Sequence, residues 1–275
     1  MSDQPTGLVI ADDHQATLER LEEAPLSFRV TDTSNLPREW MSDIPARSQG
    51  RFSSCVGGGL SGCAEHRNLV ETGVFLRMSM WQCYISAQKA CGMSGRDGGA
   101  TLAGAMKAAG SVGIALNELC PMPQSYTTNI PSDAIADAGL HRHLGDVHYD
   151  CRQWDRMLDW VTNKDPVLFG GIWTSNHGEM NSKNWIEKPN TLGGNRRGMH
   201  CRYLCGWTTI DGQLAPLIRN THGPGFGRNG IVAISREAWN VYLRDPNTVC
   251  LAFGDLQERE PKRRSYVESK VGDSC

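Results

Sequence analysis

The chain has 275 residues, long enough for one large domain or for two subdomains around a shared cleft. Its formal charge is −2, its pI is near 6.4 and 21% of its residues are charged, so the overall electrostatics give no pull toward nucleic acid or an anionic membrane. No run of about 18 apolar residues exists, and Asp3 stands where a secretory leader would carry basic residues; a membrane span is excluded and a cytoplasmic location is expected.

Residues 1–35 read as an arm. It carries a short helical candidate, Asp12 to Glu23, and an alternating strand candidate, Leu26 to Val30. Pro37 and Pro45 then punctuate an extended entry to the stretch Ser48-Gln49-Gly50-Arg51-Phe52-Ser53-Ser54-Cys55-Val56-Gly57-Gly58-Gly59. A reactive thiol needs its thiolate favoured, and amide dipoles at a helix start do this. If Cys55 attacks a carbonyl, the oxygen that becomes negative needs N–H donors, which the Gln49 side chain and the Cys55 backbone amide can supply. Read alone, the stretch is more simply a small buried cysteine in glycine-rich packing.

Leu60 to Ala90 reads as one long, mostly helical stretch, with Leu69, Val70, Val74, Leu76, Met80 and Ile85 as apolar stations. Gly95 to Gly99 breaks it. Gly98 and Gly99 suit either a plain turn or a close approach of a bound peptide to the backbone. Ala100 to Ala109 is a small-residue helix, and residues 117–150 are loop-rich. His141, His143, His148 and Cys151 raise a zinc reading, but their spacing matches no common zinc framework, so no metal is expected.

Trp154 to Thr162 has a helical apolar face, Pro166 to Trp173 reads as a buried strand, and Ser175 to Gly198 as a polar loop. Met199 to Trp207, Leu214 to Arg219 and Gly230 to Ile234 are strand-like with glycine turns between them, which suggests an antiparallel, barrel-like sheet. Gln257 to Cys275 reads as a charged tail. The ten cysteines are irregularly spaced, which suits thiols in a reducing compartment better than a disulfide framework.

His200 opens one of these strands and Asn220 closes another. Cys55, His200 and Asn220 in that order, with Gln49 ahead, resemble the papain-like cysteine peptidases (the C1 family). Gln49, Gly50, Ser54 and Cys55 meet that family's Gln-Gly-x-x-x-Ser-Cys pattern. Asn220, Gly223, Gly227 and Gly230 keep the places of Asn-Ser-Trp-Gly-x-x-Trp-Gly-x-x-Gly, with Phe226 in place of the second tryptophan. Asp97-Gly98-Gly99 is similar to the family's Asn-Gly-Gly element, and Pro166-Val167 to the strand start before its histidine.

The resemblance covers Leu36 to Phe253. It implies an α+β, papain-like fold: a helical left subdomain (residues 50–150), an antiparallel β-barrel-like right subdomain (151–256), and the active-site cleft between them. Residues 36–256 would form the catalytic domain, 1–35 an arm or short plug, and 257–275 the tail. It further implies Cys55 as nucleophile, His200 as base and then acid, Asn220 as the residue orienting the imidazole, and Gln49 in the oxyanion hole. Gly98, Gly99 and Met199 would hold substrate backbone. The implied partner is a polypeptide substrate, with no nucleic acid, no membrane, no cofactor and no metal. The reaction would be peptide hydrolysis through a thioester.

Three departures stand out. Val56 replaces the tryptophan after the nucleophile. His222 replaces the tryptophan that shields the Asn–His hydrogen bond, so poorer shielding is expected and His222 becomes a candidate modulator. Phe52 and Arg96 stand where the family has bridging cysteines. Such a disulfide-poor version resembles bacterial or phage members and suits a part of a larger assembly, for example a virion component. Two alternatives follow: a structural or assembly protein that keeps the papain-like fold, and a hydrolase of peptidoglycan peptides or amides.

Overall fold

The computed structural model describes residues 6–12, 14–19, 21–23, 36–141, 144–145 and 147–254. The expected strand at 26–30 and the charged tail at 257–275 lie outside these residues. In chain order the helical half holds β1 (Leu8–Val9), α1 (His14–Glu19), β2 (Glu22–Glu23), β3 (Trp40–Met41), α2 (Cys55–Thr72), α3 (Met80–Ala90), β4 (Ala100–Thr101), α4 (Leu102–Lys107) and α5 (Ser132–His141). The sheet half follows with β5 (Val147–Asp150), α6 (Trp154–Thr162), β6 (Val167–Thr174), β7 (Ile186–Glu187), α7 (Pro189–Leu192), β8 (Arg196–Ile210), β9 (Gln213–Arg219), β10 (Ile231–Ile234), α8 (Arg236–Tyr242) and β11 (Val249–Gly254).

The helix expected over Leu60 to Ala90 starts earlier and is two helices. Gly73 adopts the left-handed conformation and its N–H caps the Leu69 carbonyl, which ends α2. Ser79 then starts α3, its hydroxyl accepting from the Gln82 N–H. Residues 117–150 also hold more regular structure than expected, namely α5 and β5.

α2 lies between α3 and β8. Its glycines make that depth of burial geometrically workable. A Cβ at Gly57 would stand 2.3 Å from the Met80 carbonyl oxygen, one at Gly59 2.5 Å from Leu168, and one at Gly62 2.2 Å from the Tyr203 ring. Each glycine costs about 0.5–1 kcal/mol of helix stability relative to alanine. Here that cost is offset by backbone-close packing on both sides.

The sheet runs β2-β5-β11-β6-β8-β9-β10-β7, mostly antiparallel, with β1 and β3 added on β8. It ends at β2 and β7 and is not closed, so the barrel-like expectation is corrected to an open sheet. Two apolar cores result. One joins α2, α3 and α4 to Cys201 and Tyr203 of β8. The other joins α6 and α8 to β6 and to Leu204 of β8. β8 divides them because successive residues of a strand face opposite ways. No helix among the described residues is long and apolar enough to cross a membrane.

Candidate active site

Cys55 is the first residue of α2. β8 approaches it directly: the backbone N–H of Cys201, the residue after His200, donates to Cys55 Sγ at 3.4 Å. Gln49 ties the loop before the thiol to the loop that carries Asn220. Its backbone N–H donates to the Thr221 carbonyl at 2.7 Å. Its side-chain nitrogen donates to the Phe52 carbonyl at 2.8 Å, and its oxygen accepts from the Thr221 hydroxyl.

His200 and Asn220 meet through Nε2 and Oδ1, 2.8 Å apart. The Thr221 N–H donates to the same Oδ1 at 2.6 Å, so that atom is an acceptor and the shared proton sits on His200 Nε2. His200 Nδ1 is then the basic nitrogen. Among the described residues it is buried without a hydrogen-bond partner.

Cys55 and His200 are both fully buried. Burial pushes the Cys55 thiol up to about 11, against the N–H groups of Cys201, Gly7, Val56 and Leu8, which favour thiolate. Burial likewise holds His200 well below the usual imidazole range, with His222 and Arg202 adding to the effect. Both groups are therefore neutral as they stand, and no hydrogen bond joins Cys55 Sγ to His200 Nδ1.

The cover comes from residues 7–9. β1 pairs in parallel with β4, Leu8 opposite Ala100 and Val9 opposite Thr101, and Leu8 also lies antiparallel to Met199. The Ala100 N–H donates to the Gly7 carbonyl at 2.8 Å. The Leu8 side chain is buried beside Val56, Leu102, Ala105, Leu168 and Val249. Residues 7–9 thus occupy the rim where the resemblance placed substrate backbone.

At that rim Gly98 forms a tight turn, its N–H donating to the Arg96 carbonyl at 2.9 Å. Gly99 has φ +83°, and a side chain there would collide with the Gly7 carbonyl. Its own polar groups turn inward: the N–H donates to the Tyr84 hydroxyl at 3.1 Å and the carbonyl accepts from Gln88 at 2.8 Å. The pairing edge is accordingly Ala100 and Met199.

His222 stacks on His200, ring centres 4.5 Å apart at 29°. Burial, then Arg202 and His177, lower it to about 3, so it is a neutral ring at ordinary pH.

Beneath these rings lies a cluster the sequence reading did not assign to the site. Arg202 is paired with Glu187, and the Tyr242 hydroxyl donates to Glu187 at 2.8 Å while accepting from Arg202 at 2.8 Å. Burial alone would raise the Glu187 carboxyl, but Arg202 and His177 outweigh it and hold it below its ordinary value. The available signal was periodicity: His200 and Arg202 are two apart on β8 and share a face.

For the zinc reading, His148 packs edge-on against Phe253 and Cys151 is buried, while His143 lies outside the described residues. Among the described residues no group of three or more His, Cys, Asp or Glu side chains could hold a metal ion, and their nine cysteines are all free thiols.

No protein-family model and no curated sequence matches the chain. Solved structures do. Xylellain, a cysteine protease from Xylella fastidiosa, superposes with a TM-score of 0.71 at 16% identity, over 92% of this chain and 96% of that one. Procathepsin B S9 from Trypanosoma congolense gives 0.65 at 17%, over 91% and 85%. The Carica candamarcensis cysteine protease CMS1MS2, solved with E-64, gives 0.58 at 17%, over 80% and 100%. The fold is papain-like.

Proposed function

We propose that this papain-like fold works as a cysteine peptidase that cleaves polypeptides through a thioester. The reading is carried by one observation. His200 holds its Nε2 proton on Asn220 and leaves Nδ1 unpartnered among the described residues, while the next residue's N–H touches Cys55 Sγ.

In this mechanism Nδ1 takes the thiol proton and Cys55 Sγ attacks the peptide carbonyl. The oxygen's developing charge is met by the Cys55 backbone N–H and the Gln49 side-chain amide. His200 then gives its proton to the departing amine and later activates the water that hydrolyses the thioester. Asn220 holds the ring in the tautomer that keeps Nδ1 as the basic nitrogen throughout.

A polypeptide substrate is supported by the rim. Ala100 and Met199 already accept an extended strand, residues 7–9, so an extended chain can add there by backbone hydrogen bonds. The same strand makes the resting protein latent. It excludes water, and the desolvated pair stays neutral. Displacing it readmits water and favours the thiolate–imidazolium pair.

The decisive experiment compares the full chain, a chain lacking residues 1–10, and that shortened chain with Cys55→Ala. Each is incubated with a denatured protein, and fragments are read by mass spectrometry. The shortened chain is expected to cut and to be labelled once by an epoxysuccinyl inhibitor. The Cys55→Ala chain should do neither, and the full chain should cut more slowly. Equal cleavage with and without Cys55, or no cleavage and no labelling by any form, overturns the proposal.

A further inference from the structure

Papain-like chemistry needs the His–Asn hydrogen bond kept from water, and the residue expected to do so is absent: position 222, two past Asn220, is histidine. Its ring covers one face of His200. A larger ring arrives from another strand. Trp173 on β6 stands 4.5 Å from His200, centre to centre, tilted by 55°, and meets His222 edge-on at 4.9 Å and Phe226 at 5.7 Å.

Register explains how it gets there. β6 and β8 are antiparallel, with Gly171 opposite His200 and Gly198 opposite Trp173. Directly opposed residues share a face, so the indole and the imidazole are diagonal neighbours with no side chain on either partner position between them. The indole is 6% exposed. Its other side is held by His177, stacked at 4.1 Å and 20°, and by the Arg202 guanidinium at 5.6 Å. His177 is itself fixed. Nδ1 accepts from the Thr174 N–H at 3.0 Å, which leaves the Nε2 proton for the Tyr242 hydroxyl at 3.3 Å.

We propose that Trp173 is a positioning residue of the triad: its indole closes the His200–Asn220 hydrogen bond to solvent and sets the plane of the imidazole, in place of a ring from the asparagine's own loop. The proposal rests on the peptidase reading for its purpose, but its geometry stands apart from turnover. A hydrogen bond in such a dry, ring-walled site is stronger than one exposed to water, and it holds the tautomer in which Nδ1 is basic.

The test is the water-exchange rate of the His200 Nε2 proton, followed by nitrogen-15 NMR on the full-length chain and assigned by its loss in His200→Ala. In the unaltered chain the signal should be resolved and slow to exchange. Trp173→Leu, which keeps an apolar side chain but removes the ring, should speed exchange about tenfold or more, and Trp173→Phe should restore most of the protection. An exchange rate unchanged in a folded Trp173→Leu, even with a lower melting temperature, makes the indole simple packing and overturns the proposal. Should the leucine variant not fold, the unaltered chain decides: exchange as fast as an open imidazole overturns it equally. Because the signal needs no turnover, absent proteolysis would sink the peptidase reading without moving this result.

Discussion

On the helical side of the cleft, α2 carries Cys55 and presses against its neighbours through Gly57, Gly58, Gly59 and Gly62, with backbone where most helices have side chains. On the sheet side, β8 carries His200 over stacked rings and a buried ion pair, Trp173, His177, His222, Arg202 and Glu187. One wall is held by shape and the other by charge and π-faces. The difference shows where each of the two side chains gets its constraint. A thiol at a helix start needs only its backbone placed, whereas an imidazole must also be held in one plane and one tautomer.

If the contrast is right, the sheet wall should fail hardest when its charge is unbalanced. Glu187→Gln leaves the fully buried Arg202 guanidinium with a neutral partner. Breaking a buried pair from one side costs about 3–5 kcal/mol. Chemical denaturation of the variant should show a loss of that size. A loss below about 1 kcal/mol, the range of exposed pairs, would break the contrast, because the pair would then behave as a surface one.

An effect of comparable size should appear on acidification. Burial lowers His177 to about 4, eased by Glu187 and deepened by Arg202, and lowers His222 to about 3, so both rings are neutral in the folded chain and take up protons more readily when unfolded. For a group depressed on folding, the stabilisation is complete above the unfolded value near 6.5 and is lost as pH falls toward the folded one. Each ring should therefore remove about 1.4 kcal/mol per pH unit below that point. Melting temperatures from pH 7 to pH 4.5 should fall steeply. A flat profile would mean that the ring stack admits protons, and with them water.

How much of this could be read from the residues alone depends on distance along the chain. α6 covers Trp154–Thr162, the span its apolar face indicated, because an amphipathic period is local information. The break at Gly73 and the start at Ser79 were equally local signals, hidden by the apolar stations running across them. α8 has only seven residues, Arg236–Tyr242, too few for a period to emerge, and β11 (Val249–Gly254) is a short apolar run without alternation.

The site divides in the same way. Cys55, His200, Asn220 and Gln49 were named from short motifs. That Trp173 faces His200 follows from the Gly171–His200 register, and that Leu8 lies opposite Ala100 and Met199 follows from pairings far apart in the chain. No local pattern carries either. Gly98 and Gly99 had the right composition for a peptide rim, yet only the inward hydrogen bonds of Gly99 to Tyr84 and Gln88 move the pairing edge to Ala100.

The helical wall is probed by adding a single methyl group. Gly57→Ala would set its Cβ 2.3 Å from the Met80 carbonyl oxygen and 2.8 Å from the Tyr84 nitrogen, both backbone atoms that cannot rotate away. Overpacking of this kind costs about 1–3 kcal/mol, against the gain of about 0.5–1 kcal/mol that alanine brings to a helix. The balance should be a net loss with the melting transition still cooperative. Gly139 in α5 supplies the control, because its added Cβ would meet nothing within 4 Å. Gly139→Ala should therefore stabilise the chain by up to about 1 kcal/mol, the smallest shift expected here. If both alanines stabilise, α2 has room to spare and shape does not hold that wall. If Gly57→Ala destabilises and Gly139→Ala does not, the glycines beside Cys55 are there because two backbones lie where a methyl group would have to be.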